Sequence, residues 1–305
     1  MPEAAATAAA ADGVRRSSYG QILRSTALIG GSSLVNIAFS VLRMKAIALL
    51  LGPGGVGLMS LYSSMADLAQ TVAGLGIQAS AVRQIAEAAG TEDHRRVART
   101  VTVLKRIAIG LAILGALLLA ALSVPLSVLT FGDRAHVGGI AVMSLAVFFG
   151  LLSAAQLALL QGLRRIGDLA RVSMLSACFG ALIAVPIVYL FGEDGVAPAL
   201  AASAAATLAI SWWHSAGIAL APGRVSLREL RAETAEMLKL GVVFMASGLL
   251  TVGTAYAIRL IVLRLEGVDA AGLYQAAWAL GGLYAGFILQ AMGTDFYPRL
   301  TEAAR

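Results

Sequence analysis

Four charged residues lie where a charge is expensive. Arg43 and Lys45 sit inside the apolar run from Ser25 to Leu51, Asp67 in the middle of the next run, and Arg259 in a later one. At membrane depth a charged side chain costs roughly 2.5–3.5 kcal/mol even on the lenient insertion scale, so it is paired, hidden or used. A guanidinium suits the last role, because its planar fork donates paired hydrogen bonds to the oxygens of a phosphate or carboxylate. Arg43 and Arg259 are therefore the leading residues for holding an anionic head in a polar groove, with Lys45 next. The plainer reading is snorkelling, since all three fall in the outer half of their runs and long side chains reach the headgroups. A two-residue step turns a helix by ~200°, so Arg43 and Lys45 cannot both face one groove. Asp67 can pair with Arg43, lock helix packing, or titrate during ion-coupled movement.

Uncharged polar groups accompany them. Asn36, Gln70, Gln78, Gln156, Gln161 and Gln290 lie in apolar surroundings, where they either meet the hydroxyls of a solute or bond helix to helix. Arg83 and Arg299 close two apolar runs and are placed either to receive an anion first or to anchor the chain at the headgroups. His94, His136 and His214 are scattered, and Cys178 is the only cysteine, so neither a metal site nor a disulfide is expected. There is no catalytic triad, phosphate loop or zinc spacing; no cofactor and no enzymatic activity are expected.

The elements that must position these residues follow from composition. Hydrophobic residues make up 59% and charged residues 13% of the 305, and mean hydropathy is +0.83. A soluble domain carries roughly a quarter charged residues. The apolar stretches are long and uninterrupted, which selects membrane-spanning helices over a barrel. The expected fold is an all-α polytopic membrane protein with eight spans, at about 22–51, 57–86, 100–130, 138–162, 169–191, 196–220, 238–264 and 270–296. Eighteen of the 23 Lys and Arg residues fall on the side that holds the N-terminus, while Arg134 and Arg264 lie on the other. The positive-inside rule then makes the N-terminus cytoplasmic. With the cations grouped at span ends, the net charge of +6 is no nucleic-acid signal.

Residues 1–19 are an Ala-rich tail expected to be disordered, 20–222 a six-helix lobe, 223–240 an amphipathic linker on the cytoplasmic surface, and 241–305 the start of a second lobe. That division rests on an internal repeat. Leu51 to Leu58 reads LGPGGVGL and Leu265 to Leu273 reads LEGVDAAGL. Gly57-Leu58 recurs as Gly272-Leu273 at an offset of 215, and Arg43 matches Arg259, and Arg83 Arg299, at an offset of 216. Repeats flanking a linker place a solute site between the halves. A second lobe copying the first would need four more helices, so the chain reads as part of a longer protein.

The glycine turn Gly52-Pro53-Gly54-Gly55-Val56-Gly57-Leu58, with Gly74-Leu75-Gly76-Ile77 and Arg83-Gln84-Ile85-Ala86-Glu87, resembles bacterial polysaccharide flippases, as does the closing Asp295-Phe296-Tyr297-Pro298-Arg299-Leu300. More narrowly, residues 20–305 are similar to the O-antigen translocase branch of the multidrug/oligosaccharidyl-lipid/polysaccharide exporter (MOP) superfamily. The resemblance implies two six-helix lobes around a central cavity, in the bacterial inner membrane. It implies a substrate of undecaprenyl-pyrophosphate-linked sugar repeat units, moved between leaflets by alternating access, with the polysaccharide polymerase and chain-length proteins as partners. In the spans, three cations outnumber Asp67, which favours an anionic substrate over the multidrug cation antiporters of the same superfamily. A membrane enzyme would need a large extramembrane loop, and no loop exceeds about 20 residues. A non-transporting fragment or scaffold is the remaining alternative.

Overall fold

The computed structural model of the chain describes the backbone at residues 2–90, 94–218 and 227–303, and side chains at 30–90, 95–218, 231 and 233–282. In order, the elements are α1 (Pro2–Gly74), α2 (Ile77–Gly90), α3 (His94–Ala121), α4 (Ser123–Phe131), α5 (Val137–Gly162), α6 (Ile166–Phe191), a 3-10 turn (Gly192–Gly195), α7 (Val196–Ala216) and α8 (Leu227–Ala303). No strand occurs among the described residues.

Among the described residues, five helical stretches are long and apolar enough to cross a membrane: 30–74, 95–121, 137–162, 166–216 and 233–282. Three of them, of 45, 51 and 50 residues, have twice the length one crossing needs. Each of these is interrupted near its middle, at Gly52, at the 3-10 turn and at Gly267, which restores the eight expected spans. Gly52 (φ 70°, ψ −168°) and Gly267 (φ 88°, ψ −179°) share a backbone conformation that is essentially restricted to glycine. Arg259 and Gln275, hydrogen-bonded at 3.0 Å across Gly267, would stand ~24 Å apart along an unbroken helix, so α8 folds back there.

Two expected spans are themselves broken. The span at 57–86 divides at Leu75 (φ 47°) and Gly76 (φ 65°), separating α1 from α2. The span at 100–130 divides at Leu122, between α3 and α4. Pro125 explains the second break, because it has no N–H to give the carbonyl four residues back. By contrast α6 runs through Pro186. The backbone is helical from Pro2 through the tail expected to be disordered; the run of alanines there is the best helix-forming composition available. Of the expected linker 223–240, residues 223–226 lie outside the described residues, and from Leu227 the helix continues unbroken into the span.

Helix packing relies on bare backbone at two crossings with α8, one from α1 and one from the break between α1 and α2. A Cβ on Gly57 would stand 2.3 Å from the Val268 carbonyl oxygen, and one on Gly272 would stand 1.9 Å from that of Pro53. At the other end, a Cβ on Gly76 would meet the Gly241 carbonyl oxygen at 2.0 Å, and one on Gly241 that of Leu75 at 2.3 Å. The second limb of α1 and the first limb of α8 are therefore antiparallel neighbours along their length. Gly30, Gly31, Gly281 and Gly282 have no described atom within 4 Å of an added Cβ.

Two apolar clusters fill the first lobe. One gathers Ile47, Tyr62, Met143 and Val188 near the glycine turns and reaches Tyr256 of α8; the other gathers Ile85, Leu104 and Leu159 near the cationic turns and takes in Met237. Leucines such as Leu49, Leu190 and Leu250 are more than 70% exposed, as expected of a surface solvated by lipid tails. Trp212 and Trp213 are also exposed, at the end of α7, where an interfacial belt would sit.

Candidate functional site

A cavity of about 650 Å³ opens where α8 lies against α1, α2, α3 and α5. Its polar lining is Asp67, Gln70 and Thr71 from α1, Gln78 from α2 and Gln161 from α5, while Phe244 and Met245 of α8 supply an apolar wall. Asp67 is exposed into this space. The break at Leu75-Gly76 matters here: it ends one helix and starts another within the wall, so Gln70 and Gln78 come from differently directed segments. Three of the glutamines named from sequence thus converge on one cavity. Gln156 does not; it accepts a 2.6 Å hydrogen bond from Ser211 and joins α5 to α7. Gln290 lies outside the residues with described side chains.

Arg259 is on the same limb of α8 as the cavity residues Phe244, Met245 and Val252, but it is not among the residues that line the cavity. Its Nε donates to Gln275 Oε1 and its Nη1 to the Ala255 carbonyl, each at 3.0 Å. Its charge reaches Asp67, although no direct ion pair joins the two. A cation fixed by neutral acceptors keeps its positive charge uncancelled for a solute, whereas a close carboxylate would neutralise it.

Arg43 is elsewhere. It lines a second pocket, of about 420 Å³, within the first lobe among α1, α5, α6 and α7. The matching of Arg43 with Arg259 explains the divergence. The breaks at Gly52 and Gly267 are 215 residues apart, but the two arginines are 216 apart. One residue of slip rotates a side chain by ~100° around its helix. The expected pairing of Arg43 with Asp67 is not formed; the two residues line different pockets. Lys45 is exposed and lines a third, largely apolar groove between the first limb of α1 and the second limb of α8, beside Met44, Val56, Leu273 and Leu280. Arg83 is exposed and paired with Glu87 at 2.8 Å, at the cationic face. Arg299 lies outside the residues with described side chains. Among the described residues no group of His, Cys, Asp and Glu could hold a metal ion.

Sequence reasoning missed Gln275 and the hydroxyls of the Arg43 pocket. Gln275 had a signal available: it lies as far beyond Gly267 as Arg259 lies before it, which makes them neighbours once the turn is recognised. It also missed contacts at the cation-poor face, where Thr130 Oγ1 and the Tyr256 hydroxyl lie 2.7 Å apart and Arg264 donates to the carbonyls of Val128 and Leu129.

Broken apolar helices crossing at glycines, with a cavity between repeat-related halves, define a multi-pass helical membrane fold. Solved structures share it. An inward-facing multidrug resistance MATE family transporter of the MOP superfamily is 17% identical, with a TM-score of 0.63 over 83% of this chain and 58% of that one. A eukaryotic MATE transporter is 16% identical, with a TM-score of 0.63 over 85% and 63%. A MOP superfamily transporter from Pyrococcus furiosus, described as having a binding pocket of reverse polarity, is 17% identical, with a TM-score of 0.60 over 85% and 60%. The chain thus spans about 60% of the length of these transporters. No curated protein matches it. Residues 22–304 match the polysaccharide biosynthesis protein family, and the chain belongs to that family.

Proposed function

We propose that the protein moves lipid-linked oligosaccharide repeat units, with an undecaprenyl-pyrophosphate carrier, from the cytoplasmic to the periplasmic leaflet of the bacterial inner membrane. The observation that carries this reading is Arg259: a guanidinium held by neutral partners, on the same limb of α8 that walls a cavity carrying three glutamines between the repeat-related halves. An anionic head cannot cross hydrocarbon bare; Arg259, on the same limb of α8, would supply the cation, and the cavity supplies amide and hydroxyl groups for the sugars. The lipid tail stays in the bilayer. Rocking of one lobe against the other about the glycine crossings would expose the cavity to each side in turn. The charge asymmetry of the turns supports a cytoplasmic N-terminus. Membership in a polysaccharide biosynthesis family supports the substrate class, and the polymerase and chain-length proteins acting on the same units are the expected partners.

The test is charge removal in the full-length protein. Arg259→Ala and Arg43→Ala should each block delivery of repeat units to the periplasmic leaflet while membrane insertion stays normal. Undiminished surface polysaccharide in both variants would sink the reading. A multidrug cation antiporter is the second reading, favoured by Asp67 exposed in the cavity. It predicts that Asp67→Asn abolishes drug resistance and that Arg259→Ala leaves it intact.

A further inference from the structure

The Arg43 pocket differs in chemistry from the cavity between the lobes. It contains one guanidinium and no carboxylate, with Asn36, Ser173, Ser176 and Thr207 around it and Phe39 on one side. The Asn36 amide donates to Ser173 Oγ, which leaves the Ser173 hydroxyl proton free to donate. Thr207 donates to the Ser203 carbonyl and keeps its acceptor lone pairs. Ser176 Oγ is buried without a hydrogen-bond partner, in a wall of the pocket. A buried hydroxyl left unpaired is costly, and such groups call for an explanation. Arg43 itself has no ion-pair partner among the described residues.

From this lining we infer that the Arg43 pocket is a specificity site for an acidic sugar residue, one that carries a carboxylate. The inference rests on the transport reading above for its physiological substrate. Three features select this ligand. A single guanidinium matches a single carboxylate in a two-point hydrogen bond, whereas a pyrophosphate would bring at least twice the charge to the same cation. The amide and hydroxyls match sugar hydroxyls, as donors and acceptors at once. Phe39 gives an apolar face for the ring. At about 420 Å³ the pocket has room for one sugar and ordered water, and less than a repeat unit requires. The carboxylate lies at Arg43, and rotation of the Ser176 side chain into the pocket makes its hydroxyl a further donor that gains its partner. The pyrophosphate and the remaining sugars stay in the cavity beside Arg259.

The experiment is equilibrium binding of D-glucuronate, D-glucose and inorganic phosphate to the full chain in lipid nanodiscs. Glucuronate should bind saturably and at least tenfold more tightly than glucose or phosphate. Arg43→Ala should weaken it at least tenfold, Ser176→Ala about threefold, and Lys105→Ala, at an exposed cation of α3 that lines neither pocket, not at all. Should Arg43→Ala fail to fold, Arg43→Lys and Ser176→Ala carry the test, each with about a threefold loss. Glucose binding as tightly as glucuronate would overturn the inference, as would phosphate binding more tightly, or glucuronate binding that is unchanged in the Arg43 variants. Transport is not read in this assay, so its outcome is separate from that of the flippase reading. Transport that persists without glucuronate binding defeats the pocket alone, and glucuronate binding without transport defeats the flippase alone.

Discussion

Gly57 and Gly272 occupy equivalent places in the two repeats and touch each other. Gly57 faces the carbonyl of Val268, and Gly272 faces that of Pro53. Val268 follows Pro53 by the same 215 residues that separate the glycines. The contact is therefore its own image under a local two-fold axis. Two related hairpins that meet in this way need bare backbone on both sides, because any Cβ on one strikes a carbonyl of the other.

Gly57→Ala and Gly272→Ala should each destabilise by about 1–3 kcal/mol, the range for forced overpacking. The double variant should lose less than the sum, since both methyls push the same pair of helices apart. Thermal unfolding in detergent measures this. Additive losses would mean that the two contacts are independent and the axis is incidental.

The turns make a separate demand. An added Cβ at Gly52 or Gly267 meets nothing within 4 Å, yet both residues hold a positive φ. Gly52→Ala and Gly267→Ala should thus cost about 1–3 kcal/mol through backbone strain alone. Gly281→Ala is the control. No described atom lies near it and no positive φ is recorded there, so alanine should be neutral or stabilising by about 0.5–1 kcal/mol. A control that is as damaging as the turn variants would refute the conformational explanation.

Arg259 depends on Gln275 for its direction. Gln275→Leu removes the acceptor for Nε but keeps the volume, and a hydrogen bond to a charged group is worth about 1.5–3 kcal/mol. Transfer of repeat units should fall roughly tenfold or more, with insertion and amount of protein unchanged. Gln275→Glu replaces the neutral acceptor by a carboxylate that cancels the charge, and should be at least as damaging. Wild-type transfer in the glutamate variant would show that Arg259 does not act as a free cation.

The eight spans and the repeat were legible because the bilayer imposes length and apolarity on every crossing, and because Gly52 and Gly267 stand in matching sequence. Breaks inside spans were harder to read. Leu75-Gly76 lies in an apolar run whose hydropathy does not register a positive φ, and the Gly76–Gly241 crossing joins residues far apart in sequence. The charged residues were easy to find and hard to aim. Arg43 and Arg259 stood out as cations in apolar runs, but a slip of one residue turns them to different neighbours, Arg43 into a pocket of the first lobe and Arg259 to Gln275.

The cation-poor face carries a contact that should open during transport. Arg264 donates to the carbonyls of Val128 and Leu129 in the last turn of α4, where helix carbonyls lack intrahelical partners and carry partial negative charge. At the next residue of α4, the buried Thr130 hydroxyl lies 2.7 Å from that of Tyr256. Both contacts tie the first lobe to α8, beyond the cavity from the cationic turns. Tyr256→Phe removes a bond worth about 0.5–1.5 kcal/mol, and Arg264→Leu one of about 1.5–3 kcal/mol. With 1.4 kcal/mol per tenfold, the population open on this face should rise a few-fold in the first variant and tenfold or more in the second. The readout is a cysteine at Gln70, a cavity residue, in a background with Cys178→Ala, since Cys178 is the only native cysteine. A membrane-impermeant maleimide added from the cation-poor side, periplasmic in the proposed orientation, should label it faster in that order of variants. Equal labelling rates in wild type, Tyr256→Phe and Arg264→Leu would show that these bonds stabilise the fold without closing the cavity.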